Sequence, residues 1–270
     1  MYDVLSSLLG MLKVDPISTD NMVFRLHYKA TMFILITFSL LVTQKQYFGD
    51  PIDCISDSNV DLMDTFCWIQ STFTLPQVKN GIYAGVHNSN GQGGEPLQRR
   101  YHSYYQWVTL FLYLQALMFY IPRYLWKLWE GGKLKMLIDG LHLPILDEAE
   151  AESRKQFLVS FVRNNLRKQD SYAYKFFFCE ILNFVNIIAQ IFITDAFVGY
   201  EFTEYGTKVL TETQKTFVSR HDALEFVFPK VTKCLYKNIG PSGTPQLIDA
   251  ICILPLNVFN EKLYIFLWFW

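Results

Sequence analysis

The clearest pattern in the chain is the spacing of its long apolar runs. Residues 103–122 carry no charge, and Arg123 closes the run. That length suits a helix crossing a hydrocarbon core about 30 Å thick, which takes about 20 residues. Residues 176–194, "FFFCEILNFVNIIAQIFIT", form a second run between Lys175 and Asp195. A third, residues 23–43, is weaker. Its uncharged part, 30–44, is only 15 residues long. Arg25, His27 and Lys29 lie on its first turns, from which long cationic side chains reach a headgroup layer. A buried helix of a soluble domain is the plainer reading of this one run. The last eight residues, "LYIFLWFW", read as the opening of a fourth span, covering about 12 Å. A chain that stops there is expected to be a fragment or a natural short isoform.

Pro122 is expected to kink the span at 103–122, the second in chain order, or mark its exit. At the mouth of that span stand Tyr104, Tyr105, Gln106 and Trp107. Tyr and Trp rings gather at membrane interfaces, so the three rings read as an interfacial anchor. Gln106 shares a face with Thr109 and Tyr113 and is expected to point to a helix bundle or a pore.

The span at 176–194, the third in chain order, carries Glu180, Asn183, Asn186, Gln190 and Thr194. At helical periodicity these fall within about one third of the circumference. A carboxylate facing lipid at mid-span costs about 2.5–3.5 kcal/mol, so this stripe must face helices or water. Interhelical hydrogen bonding and a pore wall are both open readings.

Composition agrees with a membrane protein. Of the 270 residues 51% are hydrophobic and 17% aromatic, and the charged share of 18% lies below the roughly 25% of soluble domains. Net charge is −1, and no basic stripe interleaves with aromatics, so nucleic acid is not an expected partner. Residues 123–175 hold ten Lys and Arg, against four in 45–102 and seven in 195–262. The positive-inside rule then puts the middle loop and the N-terminus in the cytoplasm and the other two loops outside.

The cysteines follow the same division. Cys54 and Cys67 lie in the first outer loop, and Cys234 and Cys252 in the second. Disulfides persist in oxidising compartments, so these four read as a framework, with three pairings allowed. Zinc is the rival reading, without C-x-x-C or His-x-x-x-His spacing to support it. Cys179, inside the third span, reads as a small apolar packer.

The N-terminus "MYDVLSSLLGMLKV" has no basic leader or small-residue cleavage site. Val4, Leu5, Leu8, Leu9 and Leu12 share one helical face. The segment reads as a helix on the inner membrane surface or one folded into a pore mouth. Thr19 or Asp20 is expected to cap the helix that follows. Phosphate-loop, H-E-x-x-H and G-x-S-x-G patterns are missing from the sequence, and His27, His87, His102, His142 and His221 are scattered. No catalytic residue, cofactor or metal site is expected. The glycine-rich stretch 89–96 reads as a flexible loop tip.

These residues resemble the innexins, the gap-junction proteins of invertebrates. "YYQWV" at Tyr104 resembles the signature at the start of their second span. "TDNMVFRLH", "DTFCWIQSTFTLP", "EGG", "EYGTKVL", "VFPKVTKC", "GPSG" and "CILPLNVFNEKLYIFLWFW" extend the match in order along nearly the whole chain.

The resemblance implies an all-α membrane protein, a four-transmembrane-helix bundle with its fourth helix truncated and its extracellular loops tied by disulfides. It divides the chain into an N-terminal cytoplasmic helix (1–22), a first span (23–44), a first outer loop (45–102) and a second span (103–124). A cytoplasmic loop (125–175), a third span (176–194), a second outer loop (195–262) and the opening of a fourth span (263–270) follow. Subunits would form a homomeric or mixed ring in lipid, a hemichannel, which docks with one on the adjoining plasma membrane at a gap junction. Met1, Tyr2, Asp3 and Leu5 would lie at the pore mouth. The bridges would be nested, Cys54 with Cys252 and Cys67 with Cys234. The expected function is passage of ions and small solutes between cells; the alternative is a non-junctional hemichannel releasing solutes such as ATP. A claudin-like barrier fits less well, because two cysteines stand in each outer loop. The truncated chain alone is not expected to conduct.

Overall fold

The computed structural model describes residues 10, 18–55, 60–75, 86, 98–138, 148–165, 168, 170–212 and 226–270. The pore-mouth candidates Met1, Tyr2, Asp3 and Leu5 lie outside them, as do His87, His142, His221 and the stretch 89–96. The chain divides into two units. One comprises residues 1–36 and 113–190, the other 37–112 and 191–270.

Among the described residues three helices are long and apolar enough to cross a membrane: α1 (Met22–Phe48), α3 (Val108–Glu130) and α6 (Asp170–Phe197). The remaining elements are β1 (Asp53–Ile55), α2 (Val60–Gln70), β2 (Thr72–Thr74), β3 (Arg100–His102), α4 (Lys133–Ile138), α5 (Glu148–Asn165), α7 (Phe202–Glu212), β4 (Val231–Ile239), β5 (Pro245–Ile253) and α8 (Pro255–Phe269).

In the first unit α1 starts after Asn21, whose Oδ1 accepts the Phe24 N–H at 2.7 Å. The cap is therefore Asn21, not Thr19 or Asp20, whose side chains are engaged elsewhere. Over Leu26–Thr31 the helix widens to a π-turn. Thr31 Oγ1 donates to the Leu26 carbonyl at 3.1 Å, and the turn buries His27 and Thr31. His27 thus points into the protein and not toward a headgroup layer.

α3 continues eight residues past Pro122, so Pro122 is not the helix exit. Its missing N–H leaves the Met118 carbonyl without its helical donor. Phe24, Trp126 and Cys179 form a buried cluster joining α1, α3 and α6, with Tyr28, Tyr172 and Phe176 packed on it. Past α3 the "EGG" motif makes a sharp turn. Gly131 (φ +61°) and Gly132 (φ +73°) occupy the left-handed region that suits glycine. Glu130 accepts the N–H of Gly132 at 2.8 Å and of Leu134 at 2.9 Å, which starts α4.

The second unit holds a five-stranded antiparallel sheet in the order β1-β5-β4-β2-β3. This corrects the all-α expectation: the protein is mostly helical, with a sheet made from the two segments read as outer loops. β4 and β5 pair over nine residues each, from Val231↔Ile253 to Ile239↔Pro245. Their turn closes with Gly243 N–H on the Gly240 carbonyl at 2.9 Å, Gly243 standing at φ +79°. Under the sheet Ile52, Cys54, Met63, Cys67, Tyr105, Cys234, Ala250, Cys252 and Leu254 form a buried core.

Candidate functional site

Two disulfides join the segments. Cys54 on β1 is bonded to Cys252 on β5, and Cys67 on α2 to Cys234 on β4. The segment between α1 and α3 is thereby cross-linked to the segment between α6 and α8 at two places. Further contacts reinforce the join. Asp64 Oδ1 accepts the Cys54 N–H at 2.7 Å, holding α2 against β1. Phe66 meets Tyr236 edge-on at 4.8 Å between centroids. The sulfurs of Cys54, Cys67 and Cys252 lie within 4.8 Å of one another. As disulfide sulfurs they carry no thiolate to offer a metal.

The hairpin of β4 and β5 extends past its neighbours. β1 pairs with Ile251–Ile253, and β2 reaches β4 at Lys233. Beyond these points no strand among the described residues covers either edge. The exposed end carries Ile239 and Leu247, 76% and 63% exposed. Uncovered strand edges with apolar side chains are surfaces on which another chain can pair.

The segment "YYQWV" serves several roles. Tyr104–Gln106 is a 3-10 turn ahead of α3. Tyr105 is fully buried, its ring 4.9 Å from that of Trp68. This corrects its reading as an interfacial anchor: packing in the sheet core leaves its ring no headgroup to meet. Tyr104 stacks edge-on with Phe228 at 5.8 Å. Gln106 donates through Nε2 to the Trp68 carbonyl. Trp107 alone of the three rings is well exposed, at 58%.

The polar stripe of α6 is an inner face. Asn183, Asn186, Gln190 and Thr194 are buried, while Ile181, Phe184, Val185 and Phe192 on other faces are exposed. Asn186 Nδ2 stands 3.3 Å from His27 Nε2 on α1, and Gln190 Nε2 donates to Asn186 Oδ1 at 3.4 Å. Glu180, partly buried, accepts from Asn21 Nδ2. Asn186 and Gln190 thus bond to protein groups and not to lipid, as polar residues inside a helix bundle do.

Several residues that matter here escaped the reading of the sequence. α8 buries Asn257, Asn260, Glu261 and Tyr264, spaced as one helical face. Glu261 Oε2 pairs with Lys230 Nζ at 2.9 Å, and Asn257 Nδ2 donates to the Pro229 carbonyl at 2.8 Å. The spacing is present in "NVFNEKLY", whose Asn257, Asn260 and Glu261 fall in the stretch read as the second outer loop. Gly206 on α7 lies so close to α8 that a Cβ there would sit 1.9 Å from Trp268 Cδ2. His102 is buried, its Nε2 2.8 Å from Thr74 Oγ1. Burial, and then the charge of Arg100, pushes its pKa down to about 4.

Known proteins are similar to this chain along its whole length. The Innexin family model matches residues 20–270. Innexin inx2 of Schistocerca americana is 52% identical over 274 residues, covering all of this chain and 76% of the relative. Innexin inx2 of Drosophila melanogaster is 52% identical, covering all of this chain and 75% of the relative. Innexin shaking-B of Drosophila melanogaster is 44% identical, with 74% of the relative covered.

Proposed function

This chain belongs to the innexin family, whose members form gap-junction channels in membranes, and on that premise we propose that it is a subunit of an intercellular channel passing ions and small solutes between adjoining cells. Subunits of this chain, alone or with other innexins, ring an aqueous pore, and two rings dock across the gap between plasma membranes. The N-terminus and the segment 125–175 are cytoplasmic. The segments 45–102 and 195–262 face outside, and α8 opens a fourth span. Met1, Tyr2, Asp3 and Leu5 lie at the cytoplasmic pore mouth.

One observation carries this reading: the two outer segments form a single disulfide-linked sheet with an uncovered hairpin end. Docking two preformed surfaces avoids ordering flexible loops at the moment of contact, which would weaken association. The apolar Ile239 and Leu247 at that end supply surface for a second copy to bury.

The test is tracer transfer by the full-length protein in cultured cells. Passage of a small fluorescent dye into a contacting partner cell, absent from cells that lack the protein, is the expected result. Dye uptake by isolated cells without any transfer between contacting ones would establish the non-junctional hemichannel instead.

A further inference from the structure

Four consecutive side chains just ahead of α1 each hold a different group. Ser18 Oγ accepts from Arg25 Nη2 at 2.6 Å. Thr19 Oγ1 accepts from Trp126 Nε1 on α3 at 3.0 Å. Asp20 Oδ1 meets Arg123 Nη1 on α3 at 2.6 Å, and its Oδ2 accepts from Tyr28 Oη at 2.9 Å. Asn21 caps α1 through Oδ1 and donates to Glu180 on α6 through Nδ2.

Starting a helix requires only the cap. The other ties hold Ser18 and Asp20 to α1, Thr19 and Asp20 to α3, and Asn21 itself to α6. Asp20 is the hub, its side chain only 1% exposed. The Arg123 guanidinium also lies over the Tyr28 ring, 5.1 Å from its centroid, so Asp20, Arg123 and Tyr28 touch one another in a closed triad. Removing one partner of a buried ion pair leaves the other charge uncompensated, which is strongly unfavourable. Arg123 directly follows Pro122, where α3 lacks one backbone hydrogen bond and bends more easily.

We propose that the Asp20–Arg123–Tyr28 triad is a clasp that sets where the N-terminal residues leave the helix bundle. Asp20 is then a positioning residue for the pore mouth, acting through the chain that precedes it. This rests on the channel reading for its functional meaning, since it supposes that the first residues lie at the pore. The mechanical claim, that displacing Asp20 moves the N-terminal segment, stands apart from any current. A change in α3 at Arg123 reaches the N-terminus by the same route.

The experiment places a reporter thiol at Ser7→Cys in the full-length protein, purified into lipid nanodiscs. Four of the native cysteines are in disulfides and Cys179 is buried. The rate of Ser7→Cys modification by a small charged methanethiosulfonate is measured for the parent, Asp20→Asn, Arg123→Gln and the double variant. A conformational coupling of ordinary size changes that rate at least about fivefold in each single variant. The double variant should change it no further, because both singles break one contact. Arg123→Lys, which keeps the charge, should stay closer to the parent than Arg123→Gln. If the charge-removing variants fail to fold, Tyr28→Phe carries the test and shifts the rate in one direction by a smaller factor.

Unchanged rates in folded variants overturn the clasp, even if thermal stability falls, because a merely structural pair would lower stability alone. Effects that multiply in the double variant overturn it too. Because the readout needs no current, a protein that fails to couple cells would sink the channel reading while leaving the clasp to be judged on its own rates.

Discussion

Cys54 and Cys252 are partners twice over: they stand opposite each other in the β1–β5 ladder, and a disulfide joins them. They are 198 residues apart in sequence, so one covalent bond fixes the register of two strands from distant segments. The second bridge ties α2 to β4 instead and leaves the ladder to its hydrogen bonds. The two bridges should therefore fail differently. Cys54→Ser should lower the stability of the sheet by about 2–5 kcal/mol and expose β1, whereas Cys67→Ser should free α2 from the sheet. Hydrogen exchange of the purified variants distinguishes them. Faster exchange at Asp53–Ile55 is expected from the first, and at Val60–Gln70 from the second.

Gly206 is required by space. Any side chain would drive into the Trp268 ring, and the ring is held by its Nε1 on the Thr203 carbonyl at 3.3 Å. Gly206→Ala should cost about 1–3 kcal/mol by overpacking. Combining it with Trp268→Leu should recover part of that loss. Thermal unfolding in detergent measures both, and an Ala variant as stable as the parent would show that α7 and α8 can separate freely.

His102 makes the sheet sensitive to acid. Its pKa is near 6.5 when unfolded and about 4 when folded, because burial and Arg100 disfavour the charged ring. The folded state binds fewer protons across that window, so this contribution is complete above pH 6.5 and is lost as pH falls toward 4. The loss from pH 7 to pH 5 is about 2 kcal/mol. His102→Gln should flatten this part of the stability profile, at some cost at neutral pH through the contact with Thr74. An acid sensitivity equal to that of the parent would assign the effect to other groups.

Asn186 and His27 should contribute modestly. Hydrogen bonds between membrane helices average about 0.6 kcal/mol, with a maximum near 1.7. Asn186→Leu should lower stability by that order and leave permeation unchanged if the stripe is wholly internal. A change in ion selectivity would instead put the α6 face on a pore.

Much of this organisation was legible in the chain. Three long apolar runs marked α1, α3 and α6, because a run so poor in charge has few other uses. The stripe beginning at Glu180 declared an inner face, since lipid would not accept it. The sheet was hidden. β1, β2 and β3 are three residues each, too short for an alternating pattern, and β4 shows its alternation only once Thr232 and Cys234 are known to point inward. Tyr105 was misread for a related reason. Aromatic residues beside an apolar run suit an interface, and only the fold reveals that Trp68 and the sheet enclose one of them. The clasp was invisible in sequence because Asp20 and Arg123 are 103 residues apart.

The central claim is an intercellular channel whose docking surface is held by the disulfide-linked sheet. Junctional conductance between paired cells that both express the full-length protein tests it most directly, with Cys67→Ser compared at equal surface abundance. The account predicts a clear conductance for the parent and none for Cys67→Ser. No conductance from the parent, or an unchanged one from Cys67→Ser, would contradict it.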